Sequence, residues 1–319
     1  MMRVAFFFDY NVLQMIVPHP IPYQGSKRVM ANLILSYFPA DVSRLVEPFA
    51  GSGALSIAAA MQNKATCFYL NDTNKPLMNL WRAILEKPNE LADAYEKLWR
   101  QQRGRERKFY DEVRREFNNT HQAEQLLYLL ARCVKASVRY NADGEFNQSP
   151  DNRRKGRHPA NMRRDILHTG RLLGGRTALN CQDYRQVLKS VTADDLVYMD
   201  PPYQGVSTKR DARYTHQVQF DEFVEALREL VAREISFIVS YDGRRGDKVY
   251  GNGMPKELGL HHIEIRVGRS AQSTLLGGKD VTFESLYLSP ALITKNDFDG
   301  AIPSLAIKPT QLEFSFATT

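Results

Sequence analysis

The sequence predicts an α/β fold: a sheet of mostly parallel strands with helices on both faces, interrupted by an inserted, mainly helical module. Three observations carry this. Short apolar runs alternate with helical stretches, as in repeated β-α units. After the second of these runs, residues 72–176 contain no convincing core strand, and such a gap within a βαβ series reads as an inserted domain. Strand ends lead into loops bearing Gly, Pro and Asp, where open α/β sheets bind ligands. At 319 residues, 43% of them hydrophobic, the chain can build one large domain or a core with an insertion.

In chain order, Met30, Leu33, Ile34 and Tyr37 repeat at helical spacing and predict a helix over Lys27–Tyr37. The run Arg44–Glu47 is the first strand, and the Ala-rich stretch Gly53–Gln62 the helix after it. Thr66–Asn71 is the second strand. Leu77, Leu80, Trp81 and Ile84 place a helix over Lys75–Glu86. Pro88 opens a long helical pattern to Phe117, and another covers Ala123–Val138. Thr177–Asn180 resumes the strands, followed by a short helix, Arg185–Ser190. The continuous apolar run Leu196–Met199 reads as a buried strand. A helix over Phe220–Glu234 and strands at Ile235–Ser240, His262–Val267 and Phe283–Leu288 complete the series. The core is therefore expected over 1–86 and 177–294, the insertion over 87–176, and a tail over 295–319.

The net charge of +7 points to an anionic partner. It is concentrated: between Arg132 and Arg176 eleven Lys/Arg face four Asp/Glu. Tyr140, Asn141, Phe146 and Asn147 are interleaved there, as a nucleic-acid surface requires; a solvated basic loop is the plainer alternative. The three cysteines, Cys67, Cys133 and Cys181, have neither disulfide-framework nor metal-site spacing, and no metal is expected. The apolar start, Phe6-Phe7-Phe8, is too short for a membrane span and lacks a cleavage signal. It reads as a peripheral extension or as residues upstream of a start at Met15. A cytoplasmic, nucleoid-associated protein with no membrane partner is expected.

Glu47-Pro48-Phe49-Ala50-Gly51-Ser52-Gly53 follows the first strand and opens a helix. Its glycines let the backbone turn tightly and approach a bound molecule. Asp72 ends the second strand about twenty residues on, where an acidic side chain chelates ribose hydroxyls. The third glycine of a pyrophosphate fingerprint is missing, so a nucleoside without a diphosphate fits better than NAD. Asp183-Tyr184 offers an acceptor and a stacking ring for an adenine, or equally a helix cap and a packing tyrosine. Upstream, Tyr23-Gln24-Gly25-Ser26-Lys27 leads into a helix, where a lysine and terminal amides can hold a carboxylate; Ser26 as an ordinary cap is the alternative.

Asp200-Pro201-Pro202-Tyr203 lies where a central strand runs out. Its prolines fix the backbone and leave carbonyls that only accept hydrogen bonds. A carboxylate on one side and an aromatic face on the other suit an exocyclic amine on a flat heterocycle.

These segments, with Asn71-Asp72-Thr73-Asn74-Lys75 and Arg139-Tyr140-Asn141-Ala142-Asp143-Gly144-Glu145-Phe146-Asn147, resemble in order the Dam-type, α-group DNA adenine-N6 methyltransferases. The resemblance covers about Ile21 to Pro290. It implies a Rossmann-like class I methyltransferase core with a mixed seven-stranded sheet whose last strand runs antiparallel. It implies S-adenosyl-L-methionine as methyl donor, S-adenosyl-L-homocysteine as product, and double-stranded DNA as substrate. Tyr23 and Lys27 would contact the methionine moiety, with Lys27 on its carboxylate. The loop of Glu47, Pro48, Phe49, Gly51 and Gly53 would wrap the cofactor, Asp72 would hold the ribose, and Asp183 and Tyr184 the adenine. Asp200, Pro201, Pro202 and Tyr203 would form the catalytic loop, with Asp200 also beside the cofactor. The segment from Arg139 to Asn147 resembles the family's DNA-reading β-hairpin, so Arg139, Asn141, Asp143 and Asn147, with Arg153, Arg154, Lys155 and Arg157 beyond, would meet DNA.

The implied reaction needs base flipping, with Tyr203 replacing lost stacking. Methylation of an RNA adenine or of cytosine N4 is the alternative among enzymes, although serine is more usual than Asp200 for cytosine N4. A non-catalytic DNA-binding module is the alternative outside them. The resemblance fits a restriction-modification enzyme with a cognate endonuclease, or an orphan or phage modification enzyme. Relatives of GATC type carry a basic residue where this chain has Asp143, which points away from GATC. The tail ends in Gln311-Leu312-Glu313-Phe314-Ser315-Phe316, similar to peptides that dock on sliding clamps, or a latch on its own domain.

Overall fold

The computed structural model describes residues 16–202, 218–245, 248–250, 253–269 and 281–296. Tyr203, the N-terminal apolar start and the clamp-like segment Gln311–Phe316 lie outside the described residues.

Strands β1 (Val42–Glu47), β2 (Ala65–Asn71), β3 (Thr177–Asn180), β4 (Asp195–Met199), β5 (Ser236–Arg245), β7 (His261–Arg269) and β8 (Val281–Leu288) correspond to the seven expected from sequence. They form one sheet in the order β3-β2-β1-β4-β5-β8-β7, and a short β6 (Lys248–Tyr250) pairs off this path with β5. The pairs β3–β2, β2–β1, β1–β4 and β4–β5 are parallel. Strand β8 runs antiparallel to both β5 and β7, which makes the sheet mixed.

Helices α1 (Ala31–Leu35), α2 (Ala54–Met61), α3 (Lys75–Glu86), α8 (Tyr184–Ser190), α9 (Phe220–Ala232) and α10 (Pro290–Lys295) belong to the core. The two-residue period of the strands divides its packing. Leu45, Leu196, Tyr198 and Ile238 join the cluster on one face, while Val46, Val197, Met199, Phe237 and Val239 join that on the other, with α8 and α9. The stretch between β2 and β3 also supplies α4 (Pro88–Gln101), α5 (Glu106–Thr120), α6 (Ala123–Arg132) and α7 (Pro159–Leu173). Its buried Tyr95, Tyr110, Phe117 and Leu127 lie in the same apolar cluster as the first face. These helices are therefore packed continuously with the sheet.

Four local expectations need correction. The pattern from Pro88 to Phe117 is two helices, because Gly104 takes a left-handed φ of +76° between them. The helix expected to reach Val138 stops at Arg132, and Lys135 and Ala136 both adopt positive φ just after it. The helix expected from Lys27 begins as a 3₁₀ turn over Lys27–Val29. Helix α7 had no counterpart in the sequence reading. It buries Met162, Ile166, Thr169 and Leu173 at helical spacing, Pro159 opens it, and the His158 ring caps it by accepting from Ala160 N. Its dense arginines disguised that stripe as part of a basic loop.

Candidate functional site

A cavity of about 450 Å³ opens beyond the C-terminal ends of β1, β2 and β4, within the range of about 300–1,000 Å³ usual for small-molecule sites. Its walls bring together the separate motifs: Tyr23 and Lys27, Glu47 with Phe49 and Gly51, Asp72, Asp183 with Tyr184, and Asp200 with Pro201 and Pro202. Pro48 and Gly53, expected in the same loop, are not among the residues that line it.

Gly51 and Gly53 have φ of +49° and +55°, a region alanine adopts only with strain. An added Cβ at Gly53 would lie 2.5 Å from Trp81 Cζ2. The same indole donates its N–H to Gly51 O at 2.9 Å, so Trp81 clamps the loop from below. The fully buried Asn71 amide donates to Pro48 O (3.0 Å) and Gln182 O (2.9 Å), tying the loops after β1 and β3 together. The sequence reading missed both residues as site builders: Trp81 looks like a core position, and Asn71 like the end of a strand.

Glu47 is buried and accepts from Ser56 N at 2.9 Å and from Ser56 Oγ. Burial pushes its carboxyl up to about 7, against these hydrogen bonds, and the nearby Asp200 charge pushes the same way. The folded value lies above the unfolded one, so the native state holds the extra proton. Stability from this group is present below about pH 4 and is lost as the pH rises to about 7. Asp72 accepts from Gly51 N (3.1 Å) on one oxygen and Asn74 N (2.9 Å) on the other; burial raises it despite these bonds. Each oxygen retains a second lone pair for a vicinal diol.

Asp183 caps α8 through Arg185 N and is gripped by the Arg185 guanidinium, 2.8 Å away. Tyr184 packs on Phe49 with ring centroids 5.1 Å apart. The cap-and-packing alternative is thus realised, and both residues line the cavity as well. Lys27 is buried, with its ammonium 3.2 Å from Asp200 Oδ1 and 3.2 Å from Glu284 Oε2. Burial works against its charge, but the two carboxylates outweigh this and hold it well above the usual lysine value. A cofactor carboxylate expected on Lys27 would share a cation already held by these two. Glu284, on β8, was not anticipated from the sequence.

The segment from Arg139 to Asn147 makes a turn closed by one antiparallel bridge, Tyr140–Phe146, rather than a ladder. Asn141 builds this turn: its Oδ1 accepts from Asp143 N (3.1 Å) and Glu145 N (2.8 Å), and its Nδ2 donates to Glu145 Oε2. Asp143 and Asn147 are exposed. Tyr140 turns towards the cavity, which it lines, and donates to Asn74 Oδ1 at 3.2 Å. Arg139 is partly buried.

Much of the basic excess is spent within the fold. Arg132 is buried, Arg163 pairs with Asp93, and Arg157 bonds both Asp165 and His19 O. Arg153 and Arg154 lean on Asp151 and Lys155 on Glu106, yet their side chains remain 81%, 74% and 72% exposed, against 27% for Arg157. No described helix is long and apolar enough to cross a membrane.

The profile of the D12 class N6 adenine-specific DNA methyltransferases matches residues 23–267. A DNA N-6-adenine-methyltransferase of Escherichia phage P1 is 26% identical over 75% of this chain, which spans 30% of that relative's length. A type II methyltransferase of Lactococcus lactis subsp. cremoris is 24% identical over 80% of this chain and 90% of its own. A DNA adenine methylase of Serratia marcescens is 26% identical over 63% of this chain and 72% of its own.

Proposed function

The chain belongs to the D12 class of N6 adenine-specific DNA methyltransferases, and from that premise we propose that it transfers a methyl group from S-adenosylmethionine to N6 of an adenine flipped out of double-stranded DNA. The observation that carries the reading is the convergence on one cavity of Asp200-Pro201-Pro202, the Glu47–Gly51 loop and Asp72. The residues present fit the cofactor: a cavity of suitable volume, a carboxylate with spare lone pairs for a ribose, an aromatic wall at Phe49 and Tyr184, and acidic groups towards a sulfonium.

When bound, S-adenosylmethionine supplies the electrophilic methyl group and leaves as S-adenosylhomocysteine. The residues of the chain prepare the nucleophile. The lone pair of an adenine amine is delocalised into the ring. Hydrogen bonds from N6 to the Asp200 carboxylate and the Pro201 carbonyl favour a more tetrahedral nitrogen. As positive charge develops there, the same acceptors stabilise it. Orientation of amine and methyl donor along one line supplies much of the remaining rate. Labelled methyl transfer to duplex DNA, with RNA of the same sequence in parallel, tests the reading. Transfer to the duplex alone is expected, and label on RNA alone would contradict it.

Cofactor affinity should depend on pH through Glu47. A cation in the cavity favours the ionised carboxylate, so binding S-adenosylmethionine expels the Glu47 proton below about pH 7. Affinity should climb from about pH 5.5 to 7 and then level off. Calorimetry on Glu47→Gln should show a flatter curve; an unchanged slope in that variant would assign the proton elsewhere.

The exposed cations Arg153, Arg154 and Lys155 form the proposed contact to DNA phosphates, with Asp143 and Asn147 reaching base edges. Reversing the three charges should weaken binding to every sequence and reduce the log–log salt slope by up to about 3, near one unit per phosphate contact. An unaltered slope in a fluorescence titration would place the DNA on another face. Changes at Asp143 or Asn147 should shift site preference, whereas Asn141→Ala should slow all sites together. The relatives' names fit an enzyme working beside a cognate endonuclease, or alone as an orphan or phage modification enzyme.

A further inference from the structure

A set of buried polar side chains from the helices between β2 and β3 converges on one surface loop. Tyr110 on α5 donates to Gln148 O at 2.8 Å, and Arg132 on α6 donates to Asp151 O at 3.4 Å. Gln102, just past α4, donates to Lys155 O at 2.8 Å, and Tyr95 on α4 donates to Arg157 O at 2.6 Å. The Tyr128 hydroxyl donates to Gln102 Oε1 at 3.0 Å and so fixes the other end of that amide. All of these residues are buried. Two backbone bonds, Asp151 N to Arg132 O (2.8 Å) and Val134 N to Ser149 O (3.0 Å), add to the attachment. Gly156 permits the close approach: its φ is +85°, and an added Cβ would lie 3.0 Å from Arg132 Cδ. Between these anchors the loop carries the exposed Arg153, Arg154 and Lys155.

We infer that Gln102 and Tyr95 are positioning residues for DNA binding, which hold the backbone of residues 151–157 in the form that presents Arg153, Arg154 and Lys155 to phosphates before DNA arrives. The inference rests on the proposed phosphate contact of those three cations and extends it. A free loop of this composition would be ordered only on binding, and that ordering would count against affinity. Here the buried side chains order it in advance. A buried amide or phenol is costly to place unless its polar atoms are bonded, and the donors of Gln102 and Tyr95 find loop carbonyls. Neither residue is exposed to meet DNA itself; each acts through the loop backbone.

The test compares Gln102→Met and Tyr95→Phe with the parent, in fluorescence titrations of duplex DNA over a range of salt concentrations. Active protein is counted by stoichiometric titration. Either change removes an anchor but no cation. Affinity should therefore fall by about threefold to thirtyfold at every salt concentration, while the log–log slope stays within about 0.5 of the parent's. Reversing the three charges flattens that slope instead. Hydrogen–deuterium exchange of the free variants should rise across residues 149–158 and fall back when DNA is bound. Calorimetric affinity for S-adenosylhomocysteine should stay within about twofold of the parent's. Tyr95→Phe loses a single oxygen and keeps the question open to measurement if Gln102→Met does not fold. Unchanged DNA affinity, or unchanged exchange, in the folded variants overturns the inference, and a slope still flattened by charge reversal leaves the phosphate contact standing. So does a weaker variant whose slope flattens as well, since contacts rather than their presentation are then lost. A slope untouched by the charge reversal overturns the inference and the phosphate contact together.

Discussion

Asp200→Ala removes methyl transfer, lowering turnover by at least about a thousandfold, with cofactor and DNA binding largely kept. The size follows from its place. Its carboxylate is the charged acceptor available to the amine at the end of β4, and loss of one aligned polar contact in a preorganised site costs about a hundredfold to a thousandfold. Here the change also removes one of the two carboxylates that stand 3.2 Å from the buried Lys27 ammonium. Steady-state kinetics with cofactor calorimetry separates the effects: kcat should collapse while affinity for S-adenosylhomocysteine moves little. Turnover within tenfold of the parent would remove Asp200 from the chemistry.

Gly53→Ala is the largest expected structural effect. The residue holds φ of +55°, and its new methyl group would lie 2.5 and 2.9 Å from two Trp81 ring carbons. A left-handed alanine costs about 1–2 kcal/mol, and overpacking a fixed core adds about 1–3 kcal/mol. Together these are a large share of a stability of about 5–15 kcal/mol. The indole has little room to retreat, being fully buried and hydrogen-bonded to Gly51 O. Thermal unfolding should show a drop of several degrees, and cofactor affinity should fall because Gly51 moves with the clamp. Adding Trp81→Phe, which removes the clashing atoms, should restore part of the stability. An alanine variant as stable as the parent would show that loop and ring adjust freely.

The sequence carried the architecture well where chemistry and periodicity coincide. Glu47, Asp72 and Asp200 each end a strand, so a short apolar run and a polar residue at its edge were enough to place them on one rim. The residues that support them carried no local sign. Trp81 repeats with Leu77, Leu80 and Ile84 as any core stripe does. Glu284 alternates with its neighbours on an ordinary strand, and its meaning arises only when β8 pairs antiparallel with β5. Charge was legible as a total but not as a map. Arg157 meets Asp165, and Arg163 meets Asp93 seventy residues away, so part of the basic run serves the fold rather than a partner. Turn builders and base readers share the same amide, so the turn-building role of Asn141, whose Oδ1 accepts from Asp143 N and Glu145 N, is not legible in the sequence.

The central claim is that one cavity brings methyl donor and flipped adenine together at Asp200. Mass spectrometry of nucleosides, from duplex DNA incubated with S-adenosylmethionine and either the parent or Asp200→Ala, tests it most directly. The account predicts N6-methyladenine from the parent and none above background from the variant. N4-methylcytosine from the parent, or N6-methyladenine formed equally by both proteins, would contradict it.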